Sequence, residues 1–504
     1  MVLLNSKKGL ALPLVLIFIL VMTLLSGAVI VYVNENTDTI SRTKSAYGAL
    51  NIAEAGYNKY LWHLNQDSHY WEKDVALLPA GSAKPGEVVA IKDGPIVMGY
   101  VYLTITKPTV DDPDLYITST GWSPQDTFHK KTIRARIHKR SFTQNVYVSN
   151  YEVVPGTDPS DYKKNASQVW WTSSAKIYGP VHTNGWLNID GSPQFSETLT
   201  YSTPWKNGQP INKGSGGCTP IVGPPDHQPM QAPPLTFPAS NTQIKDWAGT
   251  KYLFTGRTCI YLQDGKITVR NPNYNGGAAK TFSESDFPPD GVIYVQGDQG
   301  SDKFSLTAGN VFVYGRLKGK LTIAAENDIY ITGKNPTNYN YGVAENPYTA
   351  GLTYFNNNLT TSTDMLGLVA GNNIIVMHYG WPNDAGTGSS STTLTAPNNM
   401  TIYAALFALN RAFYFEQWNK DDDGTNGNHS VQQTLTIKGS IIQQFRGPVG
   451  TFSGAISVTG YDKDYSFDKR MAIETPPHFV EPVNEGWEVK EWREYSTPSG
   501  IPDH

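Results

Sequence analysis

The sequence predicts a mainly β protein carried on one long N-terminal α-helix. Three observations lead there. Leu10 to Val33 contains no charged side chain. The residues after it, as far as Leu64, keep apolar positions at helical spacing and contain no proline. Beyond the helix, short runs of β-branched and aromatic residues alternate with glycine and asparagine turns.

The apolar run is long enough to span a ~30 Å hydrocarbon core as a helix. It is longer than the apolar part of a secretory signal, and no small-residue cleavage site follows it. Lys7 and Lys8 precede it and Glu35 follows. The positive flank places the N-terminus in the cytoplasm and everything after Val33 outside. The reading is therefore a single-pass membrane protein with an extracytoplasmic C-terminal part. Ile40, Tyr47, Leu50, Ala53, Tyr57, Tyr60, Leu61 and Leu64 continue the helix as an amphipathic stripe. Pro13 falls in the first turn, where a missing N–H costs nothing. Asn65-Gln66-Asp67 marks the end, for a helix roughly 80 Å long.

Lys7-Lys8-Gly9 directly before the apolar run resembles the processing site of type IV prepilins. Ala53-Glu54-Ala55-Gly56 resembles a segment of PilX-type minor pilins and of tip pseudopilins. The resemblance covers about the first 65 residues. It implies a leader over 1–9, a cut between Gly9 and Leu10 by a prepilin peptidase, and partners that are other pilin-like subunits. It also gives Leu14, Ala53, Glu54, Ala55 and Gly56 a part in helix assembly. Related filament subunits carry Glu where this chain has Leu14, which favours a minor or tip position displayed at the cell surface or on a pilus.

After the helix (10–65) the texture predicts four segments. Residues 66–145 form a small β domain on the exposed helix, with Thr118-Ser119-Thr120-Gly121-Trp122 ending a strand in a glycine turn. Residues 146–287 are irregular, with a proline-rich surface excursion over 203–240. Residues 288–460 carry runs such as Val292–Val295, Val311–Tyr314, Leu321–Ile323 and Ile374–Val376. Glycine punctuation favours a parallel β-solenoid there, with a β-sandwich as the alternative. Residues 461–504 read as a proline-rich, aromatic tail capping that domain.

Composition narrows the function. Forty basic and 44 acidic residues leave a net charge of −4, which does not suit nucleic-acid binding. The basic stretch from Lys130 to Arg140 alternates with Ile133, Ala135 and Ile137, as on the solvated face of a strand. The two cysteines, Cys218 and Cys259, are open to a disulfide or to two separate thiols. No zinc spacing, phosphate loop or nucleophile elbow is present, so no cofactor is expected and the chain reads as a structural protein, not an enzyme. His182, with Asn184 and Asp190 beyond it, reads as a turn histidine. Asn419, Asp421 and Asp423 resemble half of a calcium loop, but Ser430 stands at the position of the closing Glu, and an acidic hairpin tip explains them equally. The rival class is a surface-anchored adhesin or a polysaccharide-active solenoid enzyme. Asp298, Asp302 and Asp328, near Arg316, would be its candidate carboxylates.

Overall fold

Chain segments distant in sequence assemble into two units. The computed structural model describes residues 11–79, 82–155, 168–225, 227–300, 302–338, 351–380, 393–394, 397–416, 418–419, 433–453 and 456–502. One unit comprises Met1–Pro108, Asp114–Lys139 and Gly486–His504; the other comprises Thr109–Pro113 and Arg140–Glu485. The chain is mainly β with one long N-terminal helix.

In the first unit, helix α1 runs without a break from Ala11 to Gln66. Four antiparallel strands follow: β1 (Val88–Asp93), β2 (Ile96–Thr106), β3 (Leu115–Ser123) and β4 (Asp126–Arg140). Alternation sets their faces. Ile133, Ala135 and Ile137 of β4 are fully buried, while Arg134, Arg136 and His138 between them reach solvent. Leu103, Leu115 and Ile117 join them against Ala53, Tyr57, Tyr60 and Leu64 of the helix. The C-terminal segment is not an extended tail. Gly486–Tyr495 is the fifth strand of this sheet, beside β4. The Trp487 backbone N–H donates to Asn65 Oδ1 at 3.1 Å, and the Trp487 ring enters the core. Its aromatics are spaced to lie on a sheet, which proline content obscured.

The second unit is built from parallel ladders. One runs Leu253–Thr255, Val292–Gln296, Lys320–Ala325, Met365–Ala370, Asn399–Ala408, Thr434–Phe445, Tyr147–Tyr151, Val181–Thr183, Leu199–Tyr201 and Met230–Gln231. A second continues from Thr434–Phe445 through Asp462–Phe467, Lys176–Tyr178 and Gln194–Phe195 to Ile221–Val222. A third carries Thr258–Gln263, Val311–Leu317, Ile329–Ile331, Ile374–Val376 and Phe413–Phe415. No sequence boundary at 288 separates these strands. The entering segment Tyr147–Tyr151 lies beside one of the last, Thr434–Phe445. Buried Val, Ile, Leu and Phe from all ladders form one core. At successive turns the side-chain amides stack: Asn327 donates to Asn310 at 2.7 Å, and Asn372 to Asn327 at 2.8 Å.

One expectation changes here. The stretch 203–240 is not wholly a loop. It supplies Ile211–Cys218, Ile221–Val222 and Met230–Gln231, the last rungs of their ladders. A final rung needs no outward partner, so proline, which lacks the donor, suits it and discourages further pairing. The two cysteines stand on different ladders. Cys218 lies opposite Gly191 in a short side ladder, whereas Cys259 is buried on the third ladder against Phe304, Phe312 and Tyr330.

Candidate functional site

Helix α1 changes character along its length. From Ala11 to Lys44 every residue is exposed, including Leu14, Phe18, Leu24 and Ile30. This stretch contains a segment long and apolar enough to cross a membrane. From Ala49 onward the helix is seated on its own sheet. The transition follows the sequence: large aliphatic residues on all sides give way to small residues on one side.

The seat is a close backbone approach. Ala53 is fully buried, and its carbonyl accepts the Ser119 hydroxyl at 2.7 Å. A Cβ on Gly56 would come 2.4 Å from Val101 Cγ2, and one on Gly121 would come 2.3 Å from Ala53 N and 2.6 Å from Ala49 O. Glu54 and Ala55 are half-buried at the edge of this contact. Ala53 and Gly56 are thus committed to the chain's own β3 and β2, while Leu14 is free on the exposed half. Sequence reasoning missed Ser119 and Gly121. Gly121 does not turn the chain; it lies inside β3 and makes room for the helix. Its signal was a glycine amid β-branched and aromatic residues, which marks close approach as well as a turn.

The remaining candidates are scattered. Gly9 and Leu10 lie outside the described residues, as do Asp421 and Asp423 of the calcium-like segment; Asn419 alone is described there. Among the described residues no group of three or more His, Cys, Asp or Glu is placed to hold a metal. Asp328 Oδ1 accepts from the Asn373 backbone N–H at 2.8 Å and its amide at 2.9 Å, and burial raises its pKa. Arg316 makes a two-point ion pair with Asp264. Both are therefore engaged in the scaffold.

His182 is not in a turn but in strand Val181–Thr183, and it bonds side chains. Leu235 N–H donates to Asn184 Oδ1 at 2.8 Å, which fixes that amide's orientation. His182 Nε2–H therefore donates to the same oxygen at 3.0 Å, and Nδ1 faces the Thr200 hydroxyl at 2.9 Å. Burial lowers its pKa to about 4, against a smaller opposing effect of the Asn184 bond. The unfolded chain therefore binds a proton that the folded chain refuses. This contribution is complete above the unfolded value near 6.5 and is lost as pH falls toward 4. Acidification from pH 7 to 4 should cost the second unit up to about 3 kcal/mol through this residue. Unfolding titrations of wild type and His182→Asn across that range check it: the variant should lose that part of the pH slope.

Three comparisons with known proteins bear on the chain. A family model described as a domain of unknown function, DUF4900, matches residues 117–203. No curated protein matches the sequence. Among solved structures, the competence-associated pilin ComZ from Thermus thermophilus is similar over 90% of this chain and 97% of its own, at 13% identity and a TM-score of 0.31. A likeness that slight says nothing of what this chain does.

Proposed function

We propose that this chain is a pilin-like minor or tip subunit, a membrane-anchored structural protein that displays a large β-rich unit outside the cytoplasm. The observation that carries this reading is the division of α1. Its first half presents apolar side chains on every side and stays exposed among the described residues, while its second half is bound to a sheet. A helix built that way needs lipid or other helices around it. In a filament, neighbouring helices replace the lipid around Leu10 to Val33, and the small pair Gly27-Ala28 permits close approach. Among the described residues nothing crowds Gly27. A prepilin peptidase cutting after Gly9 would free the helix for that exchange. Leu14 in place of the family's Glu supports a low-copy or tip position.

For the displayed unit we favour a β-solenoid. Its support is the in-register parallel ladders and the Asn310, Asn327 and Asn372 stack at their turns. A scaffold of that kind needs no catalytic residue, and the engaged Asp328 and Arg316 fit a structural part.

The N-terminal residue of protein recovered from its native envelope tests the reading. Mature protein should begin at Leu10, and Gly9→Leu should retain the leader and abolish assembly into surface filaments. A start at Met1 in wild type sinks the processing claim and leaves a plain anchor.

A further inference from the structure

Two adjoining cavities in the second unit make one open groove. The first, about 620 Å³, has Pro477 and His478 in its wall; the second, about 400 Å³, has Trp247. Phe287, Pro289 and Asp290 border both. The Trp247 and His478 rings stack with centroids 3.9 Å apart and planes 16° from parallel.

This pair is held in the open by its surroundings. In the helical segment Thr242–Ala248, Ile244 and Ala248 face the core, so Trp247 is turned outward and is 49% exposed. His478 has φ +51°, which a residue with a side chain rarely adopts. Its neighbours impose that conformation. The Thr322 hydroxyl donates to the Pro477 carbonyl, Phe479 is buried, and Pro477 packs on Gly291, where a Cβ would come 2.8 Å from the proline ring. Strained backbone beside an exposed aromatic pair is a pattern of binding sites.

We infer that this groove binds a neutral polysaccharide chain, with the outer face of Trp247 as the stacking platform for one sugar ring. A pyranose has an apolar C–H face rimmed by hydroxyls, so it needs a flat apolar surface with hydrogen-bond acceptors beside it. Asp246 and Asp290 are exposed in the groove walls and provide acceptors. Nearby ammonium groups are already matched, Lys251 by Asp286 at 3.0 Å and Lys318 by Glu284 at 2.6 Å, which leaves little to recruit an anion. His478 covers one face of Trp247, so a single indole face remains, too little to cage a quaternary ammonium ion. Two cavities that share a wall suit a chain of rings better than one small molecule. This site stands independently of the anchoring reading.

The test uses the full chain in lipid nanodiscs, free of sugar-based detergent. Cellohexaose, maltohexaose and N-acetylchitohexaose are titrated by calorimetry, with tetramethylammonium chloride as the cationic control. At least one hexasaccharide should bind. Trp247→Ala should weaken it about tenfold or more, and Trp247→Phe should retain most of the affinity. Asp290→Asn, a change at an exposed position, should weaken it severalfold. The inference is overturned if none of the three saccharides binds, if Trp247→Ala binds as wild type does, or if only tetramethylammonium binds.

Discussion

Replacing Gly121 by alanine should destabilise the first unit by about 3 kcal/mol, the upper end of what overpacking costs. The added methyl would meet Ala53 N at 2.3 Å and Ala49 O at 2.6 Å. Both are helix backbone atoms bound into their own hydrogen-bond ladder, so no side-chain rotation relieves the clash. The helix must lift from β3, breaking the Ser119 to Ala53 bond and opening the contact that buries Tyr57, Tyr60 and Leu64. Gly56→Ala should cost less, because its obstacles are side-chain atoms, Val101 Cγ2 and Cβ and the Ser119 hydroxyl, and not helix backbone. Gly48→Ala should go the other way. Nothing lies within 4 Å of its added carbon, and alanine is preferred to glycine in a helix by about 0.5–1 kcal/mol. Hydrogen exchange at the amides of residues 49–64, measured in nanodiscs, reads all three. Faster exchange in Gly121→Ala than in Gly56→Ala, with slower exchange in Gly48→Ala, is the expected order. Wild-type protection in Gly121→Ala would mean that the seat is not as close as the structure has it.

That seat also shows what the sequence could and could not convey. The helix was legible because its signals are local: an uncharged run, spacing at three and four, and a stop at Asn65. Ile133, Ala135 and Ile137 were legible for the same reason, since alternation within one strand needs no knowledge of its partner. Gly121 was misread because a glycine in a strand and a glycine in a turn differ only in what lies across from them. The short runs Val292–Val295 and Ile374–Val376 were visible as strands. Their parallel neighbours, Leu253–Thr255 with Lys320–Ala325 for the first and Ile329–Ile331 with Phe413–Phe415 for the second, are set by ladders whose spacing is irregular. The least legible feature is the placement of Tyr147–Tyr151 beside Thr434–Phe445, because no local pattern records a contact across most of the chain. The same holds for Trp247 and His478, which nothing in the sequence brings together.

Arg446→Met should destabilise the second unit by about 3–5 kcal/mol, because it removes the cation bonded to a buried carboxylate at that distant seam. Arg446 NH1 lies 2.6 Å from Glu152 Oε2, and the side chains are only 3% and 1% exposed. Glu152 follows the entering strand Tyr147–Tyr151, and Arg446 follows Thr434–Phe445, so the pair closes the end of two strands that already run side by side. The carboxylate also accepts Tyr147 Oη–H at 2.8 Å, the Ser149 hydroxyl at 2.6 Å and Trp171 Nε1–H at 3.1 Å. The guanidinium lies 3.7 Å over the Trp171 ring and donates to the carbonyls of Val169 and Trp170. Planarity matters to that stack and fork, so Arg446→Lys should recover only part of the loss. A buried ion pair need not stabilise relative to an apolar replacement of both partners, so the decisive measurement is a cycle. Glu152→Gln removes the charge and keeps an oxygen for the two donors on Oε1, Tyr147 and Ser149, at the expense of the Trp171 bond to Oε2. Combined with Arg446→Met, it should cost less than the two single changes added, by at least about 1 kcal/mol. Hydrogen exchange at Tyr147–Tyr151 reports the seam directly and avoids assuming that two units unfold as one. Simple additivity would show that the seam is held by its ladder hydrogen bonds and apolar core alone; subadditivity would show that the charge pair fixes where the entering strand docks.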